Sequence, residues 1–140
     1  MRVYRVKRGK PVWLDSDAEV LITKIIADIV KEKNYNVKAY NVCKDHIHML
    51  LQCQQSGMSN IVRLLKGKSA QCYKEFLKIP ANVKFHLWAQ KFNWWLITSL
   101  KQYHNTKAYI ERNREKHGYA ENKQLQSLVK SMIKIEDSAR

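Results

Sequence analysis

Two strand-like runs with almost nothing between them constrain this chain most. Residues 37–43 read as one strand and His46 to Cys53 as the next, joined only by Lys44-Asp45. So short a connection makes the pair an antiparallel hairpin. Helical patterns lie on both sides of it. Upstream, Leu21, Ile22, Ile25, Ile26, Ile29 and Val30 recur at helical spacing, opened by Ser16-Asp17-Ala18-Glu19 as a capping box and ending near Lys33, with Asn34-Tyr35-Asn36 as a turn. Downstream, after a break at Ser56-Gly57, Met58, Ile61, Val62, Leu65, Cys72 and Phe76 share a second helical face, and Pro80 ends that region.

Outer elements complete the order. Residues 2–7 alternate as a first strand, broken at Gly9-Lys10-Pro11. Residues 84–97 predict one or two short strands. Ser99-Leu100-Lys101-Gln102 is a capping box opening a third helix to about Arg114, with Gly118 as its stop, and residues 121–134 predict a short amphipathic surface helix. The order β-α-β-β-α-β-α predicts an α+β, ferredoxin-like (split βαβ) fold: an antiparallel sheet with helices on one face, plus a C-terminal helix. A length of 140 residues suits one domain.

Charge narrows the partner. There are 26 Lys+Arg against 12 Asp+Glu, a net +14, and the pI is near 9.8. Between Lys33 and Ile110 only Asp45 and Glu75 are acidic, against twelve basic residues. Such a bias points to phosphates and a polyanionic partner. No apolar stretch is long enough to span a membrane, and no apolar run follows the N-terminal charges, so neither a membrane nor secretion is expected. Cys43, Cys53 and Cys72 form no CxxC pair, which suits a reduced, cytoplasmic protein.

The densest chemistry is Asp45-His46-Ile47-His48-Met49-Leu50-Leu51. Alternation puts His46 and His48 on one face, with Cα atoms roughly 6.5–7 Å apart at about 3.3 Å per residue. Two imidazoles so placed can converge on a divalent cation, or can be polar residues on a solvated face. Cys43-x2-His46-x-His48 also offers zinc donors, but a structural zinc site wants a fourth ligand from a second segment, and none is evident. On the third helix, Tyr109 and Asn113 are i and i+4, so a phenol and an amide stand one turn apart. They suit a nucleophile and a metal ligand, but on this helix alone a packed Tyr with a helix-end Asn is the better reading. Tyr103, six residues earlier, lies on another face.

Four segments together resemble a known family. The strand at 45–51 resembles the HUH motif (His, hydrophobic, His). Ile61-Val62-Arg63-Leu64-Leu65-Lys66-Gly67-Lys68-Ser69-Ala70 resembles the basic helix that follows it. Leu87-Trp88-Ala89-Gln90-Lys91-Phe92 and Tyr109-Ile110-Glu111-Arg112-Asn113 resemble the segment before the nucleophile helix and that helix itself. Over residues 1–119 the chain is similar to the single-tyrosine HUH transposases, both the IS200-like insertion-sequence branch and its REP-associated relatives, with residues 120–140 left as a polar helix or tail. The resemblance implies a transposase that cleaves and rejoins single-stranded hairpin DNA. It implies that His46, His48 and Asn113 hold Mg²⁺ or Mn²⁺, and that Tyr109 forms a 5′-phosphotyrosine link and leaves a free 3′-OH. It implies that Arg63, Lys66, Lys68, Trp88 and Lys91 contact DNA, with Phe92, Trp94 and Trp95 as further stacking candidates. The insertion-sequence branch works as a homodimer exchanging the nucleophile helix, whereas REP-associated members act as monomers. Work at the nucleoid would follow.

Features cut across the branches: Asn113 matches the REP-associated one, Leu65-Lys66-Gly67-Lys68-Ser69-Ala70 resembles the insertion-sequence one, and Arg114 stands where many REP-associated members have Pro. Rival functions are an inactive, domesticated hairpin-binding protein and another HUH nuclease such as a small replication initiator. An RNA-recognition module is disfavoured, because its aromatic strand motif is missing and the strand carries histidines instead.

Overall fold

In the computed structural model, residues 2–9, 14–44, 46–88 and 93–134 are described. Lys10 and Pro11 of the expected break, Asp45 of the hairpin connection, and Ala89-Gln90-Lys91-Phe92 lie outside them. The chain runs β1 (Arg2–Gly9), α1 (Ser16–Lys33), β2 (Asn36–Cys43), β3 (His46–Cys53), α2 (Gln55–Phe76), β4 (Asn93–Ile97), α3 (Leu100–Glu111), α4 (Asn113–Lys116) and α5 (Lys123–Met132). The four strands form one antiparallel sheet in the order β2-β3-β1-β4. This is the split βαβ arrangement: β3 sits between β2 and β1, so the His strand is central.

The sheet separates two unequal cores. On one face Tyr4, Val6, Ile47, Met49 and Leu51 pack against α1 and α2 through Ile22, Ile26, Val62 and Leu65. On the other, Ala39 and Leu50 meet Ile110 of α3, with Val3, Ile97, Tyr103 and Tyr109 around them. A bulge between Val37 and Ala39 re-phases β2. Val37 faces the large core while Ala39 and Asn41 turn toward α3.

Local chemistry corrects several expectations. The cap of α1 is Asp15, whose carboxylate accepts from Ala18 N at 2.8 Å, and not Ser16. Glu19 has left the cap for a buried ion pair. Gly57 lies within the first turn of α2, which starts at Gln55, so Ser56-Gly57 is no break. That helix buries Met58, Val62, Leu65, Ser69 and Tyr73, whereas Cys72 is exposed and Phe76 is 64 % exposed. Apolar spacing misses Ser69 because a hydrogen bond licenses its burial: its Oγ accepts from the Trp88 indole N–H at 2.8 Å.

Within 84–97 the described strand is β4 alone, and Leu87 and Trp88 enter the large core from an irregular segment. The third helix is interrupted at Arg112 (φ −97°, ψ 8°), so Tyr109 and Asn113 belong to successive helices. Helix α5, expected on the surface, packs on α1 and buries Leu125 and Met132, and the chain after it donates from Lys134 N to Val37 O on the β2 edge at 3.0 Å. Among the described residues no helix is long and apolar enough to cross a membrane.

Candidate active site

Alternation along β3 sends Ile47, Met49 and Leu51 into the large core and His46, His48 and Leu50 toward α3. His48 is fully buried and His46 half-buried, with ring centroids 6.3 Å apart. The first residue of α4, Asn113, is also buried, and its Oδ1 lies 3.1 Å from His46 Nε2. The half-buried Tyr109 ring meets the His48 ring edge-on, centroids 5.6 Å apart at 88°. The four residues that the sequence singles out for chemistry thus meet within one chain.

Two clamps hold the α3–α4 junction on the sheet. Asn41 on β2 donates through Nδ2 to the carbonyls of Ile110 (2.8 Å) and Glu111 (3.3 Å). These are last-turn carbonyls of α3, and helix ends need such partners. Below Asn113, the buried Arg114 donates through Nη1 to Glu19 Oε2 at 2.7 Å and to Val42 O at 3.1 Å, and through Nε and Nη2 to Ala120 O. Glu19 also accepts from Lys44, through Nζ at 3.1 Å and the backbone N at 2.9 Å. The result is a buried triad, Lys44–Glu19–Arg114, tying α1 and the β2–β3 turn to α4.

Positive charge surrounds Tyr109. The Arg5 guanidinium on β1 lies 5.3 Å from the Tyr109 ring centre and 4.6 Å from that of Trp95, and Lys116 Nζ lies 4.6 Å from the Tyr109 ring centre. Arg5 Nε donates to His48 Nε2 at 2.8 Å. His117 stands 5.9 Å from His46, ring to ring.

The other expected contacts fall elsewhere. Arg63 and Lys68 are exposed and Lys66 half-buried on α2, across the sheet from the histidines. Trp88 is 4 % exposed, a core side chain, whereas Trp94 and Trp95 on the edge strand β4 are 48 % and 42 % exposed. Lys91 lies outside the described residues. Among the described residues no three His, Cys, Asp or Glu side chains converge to hold a metal, so Cys43 does not complete a zinc group with the histidines.

Arg5, Lys116 and Asn41 gave no local signal strong enough to single them out, and Glu19 and Arg114 stood out only as a cap residue and as a departure from the family pattern. The alternation of residues 2–7 places Arg5 on one strand face, but only the sheet order puts that face beside His48.

A split βαβ sheet with a His pair on its central strand, faced by a helix-borne tyrosine, is the arrangement that the sequence resemblance implies. The sequence matches the family described as "Transposase IS200 like" over residues 2–113, and the chain belongs to that family. Among solved structures it is similar to a REP-associated tyrosine transposase bound to a REP hairpin, with a TM-score of 0.67 and 17% identity over 85% of this chain and 70% of that one. It is also similar to a candidate transposase from Deinococcus radiodurans R1, with a TM-score of 0.58 and 20% identity over 80% of this chain and 89% of that one. At these identities the likeness is one of fold. No curated protein matches the sequence.

Proposed function

We propose that the protein is a metal-dependent transposase that cleaves and rejoins single-stranded DNA, probing hairpin ends, with Tyr109 as nucleophile. One observation carries the reading: Tyr109, His48, His46 and Asn113 are contiguous in a single chain, linked by the 5.6 Å ring contact and the 3.1 Å His46–Asn113 approach. The hairpin-bound structural neighbour supports a hairpin substrate, and the net charge of +14 supports a phosphate-rich one.

Two imidazoles and an amide oxygen are donors that suit a divalent cation, and His46 and Asn113 already stand at ligand spacing, while His48 Nε2 is held by Arg5. Ligands at about 2.0–2.1 Å in an octahedron have neighbouring donors about 3 Å apart, close to the 3.1 Å between His46 Nε2 and Asn113 Oδ1. His46, His48 and Asn113 would hold Mg²⁺ or Mn²⁺, which when bound would polarise a phosphoryl oxygen and orient the ester. The rest falls to the chain itself. The Tyr109 oxygen loses its proton and attacks phosphorus; the P–O3′ bond breaks, and the departing oxygen takes up a proton to become a 3′-OH. One phosphodiester replaces another, so strand transfer by a second 3′-OH needs no external energy source. Arg5 and Lys116 offer positive charge to the phosphate and the developing phenolate, the exposed Lys116 the less because water screens it. Trp95 offers an open face on which a base can stack.

We read the site as formed in cis, at work on chromosomal DNA in the nucleoid. The Asn41 and Arg114 clamps hold the nucleophile helix to its own sheet, which favours the monomer over a helix-exchanged homodimer. The test is incubation of labelled single-stranded hairpins from the gene's flanks with Mg²⁺ or Mn²⁺. An SDS-stable protein–DNA adduct is expected, absent in Tyr109→Phe and His46→Ala. Tight hairpin binding without an adduct would make this a DNA-binding protein that no longer cleaves, and an adduct surviving Tyr109→Phe would exclude Tyr109 as nucleophile.

A further inference from the structure

Arg5 touches both halves of the site. Its Nε donates to His48 Nε2, while its guanidinium carbon lies 4.6 Å from the Trp95 ring centre and 5.3 Å from the Tyr109 ring centre. The strand register makes this unavoidable: β1 pairs with β3 so that Arg5 stands opposite Leu50, one diagonal step from His48 on the same face.

The His48 contact has a chemical consequence. Arg5 Nε is a permanent donor, so the bond at 2.8 Å consumes the single lone pair of His48 Nε2. That nitrogen cannot serve Arg5 and a cation together, and a guanidinium beside a divalent ion is repelled by it. Arg5 also has a better partner in prospect. It is half-exposed, and Nε is its one donor with a hydrogen bond among the described residues. A phosphodiester offers it two oxygens in a charge-assisted fork. The Trp95 and Tyr109 rings flank the guanidinium, so a phosphate reaching Tyr109 comes within its reach.

We propose that Arg5 is a positioning residue with two alternative partners, His48 Nε2 in the free protein and the scissile phosphate of a bound strand, so that cation binding at the His pair is linked to single-stranded DNA binding. This rests on His46, His48 and Asn113 being the cation site. The arriving strand would draw Arg5 away and release His48, and by reciprocity a bound cation would favour the strand. The device would keep the free protein from assembling a charged nuclease site before its substrate is in place.

The experiment measures Mn²⁺ affinity by electron paramagnetic resonance, not cleavage. Full-length protein carries Tyr109→Phe so that no strand is cut, with Arg5 intact or changed to Gln or Met, each with and without a single-stranded hairpin oligonucleotide. With Arg5 intact, DNA is expected to tighten Mn²⁺ binding roughly tenfold, the usual worth of one charge-assisted hydrogen bond. Arg5→Gln and Arg5→Met should bind Mn²⁺ without DNA about as tightly as the DNA-loaded parent, and DNA should then add little. Equal Mn²⁺ affinity with and without DNA in the Arg5 protein overturns the proposal whether or not the variants fold, and leaves the cation site standing. Linkage that persists unchanged in both variants also overturns it. No Mn²⁺ binding under any condition removes the cation site and the proposal together.

Discussion

Replacing Arg114 with Met tests whether Arg114 and Glu19 form a buried, coupled pair beneath Asn113. The two charged side chains are almost wholly buried, at 6% and 1% relative exposure for Arg114 and Glu19. Arg114→Met removes the 2.7 Å pair, the 3.1 Å bond to Val42 O and both bonds to Ala120 O. Breaking a buried pair from one side costs about 3–5 kcal/mol, because the other charge stays buried. Lys44 remains on Glu19 and offsets part of this, so a loss of about 3 kcal/mol is expected, a large share of the roughly 5–15 kcal/mol that holds a domain together. For a chain of this size that lowers Tm by about 10 °C. Urea denaturation followed by tryptophan fluorescence reads it directly. The double variant Glu19→Met/Arg114→Met is the sharper arm. It leaves no buried unpaired carboxylate, but it takes the partner from the Lys44 side chain, which is 15% exposed, and from the Lys44 backbone N, so the pair of apolar side chains should recover part of the single variant's loss. A single-variant cost under about 1 kcal/mol, or a double variant whose loss is the sum of the two singles, would show that the pair is not the buried, coupled unit described.

Burial, the largest influence, pushes the Tyr40 hydroxyl well above its ordinary value; the bond with Thr23 pulls it down and Glu19 pushes it up again. Above about pH 10 the unfolded phenol releases a proton that the folded one keeps, so the urea midpoint should fall as pH rises from 9 to 11, and Tyr40→Phe should flatten that slope; an equal slope in the variant would put the effect on other tyrosines, such as Tyr35 and Tyr73, which burial also pushes up. Helix α3 buries Ile110 alone, whereas α1 buries eight residues, so native-state hydrogen exchange should find the amides of α3 opening well before those of α1, and earlier still in Asn41→Ala; matched protection in the two helices would contradict this.

How much of this was legible in the sequence follows from the distance over which each feature is determined. Alternation along β3 needs only neighbouring residues, and it gave the correct face to His46 and His48. The hairpin, the run of α1 and the overall strand–helix order rest on the same short-range periodicity. The α2 stripe was misread because Ser69 is buried through Trp88, nineteen residues away, and no apolar pattern reports a hydrogen bond to a residue not yet placed. The Tyr109–Asn113 spacing was read through an unbroken helix, yet the two residues still converge. Their convergence is tertiary: Asn41 satisfies the carbonyls at the end of α3, and Arg114 anchors α4 to Glu19, 95 residues earlier.

That last point turns a departure in the sequence into a physical account of the site. A Pro after the Asn would fix φ there and remove a backbone donor without any long-range partner. Arg114 instead fixes the position of α4 through four hydrogen bonds to three other segments. Asn113 then starts α4 at a point set jointly by α1, the end of β2 and the chain near Ala120. Helix α3 itself contributes little apolar burial to this, since Ile110 is its one buried residue. The two ends of the candidate site are therefore held in different ways. His46 and His48 ride on the central strand between two paired neighbours, while Tyr109 sits on a lightly packed helix whose C-terminal end is pinned by Asn41. If Tyr109 is the nucleophile proposed above, a firmly held His pair and a pinned amide beside a lightly packed tyrosine would suit a reaction in which the tyrosine must stay linked to one strand while a second 3′-OH approaches.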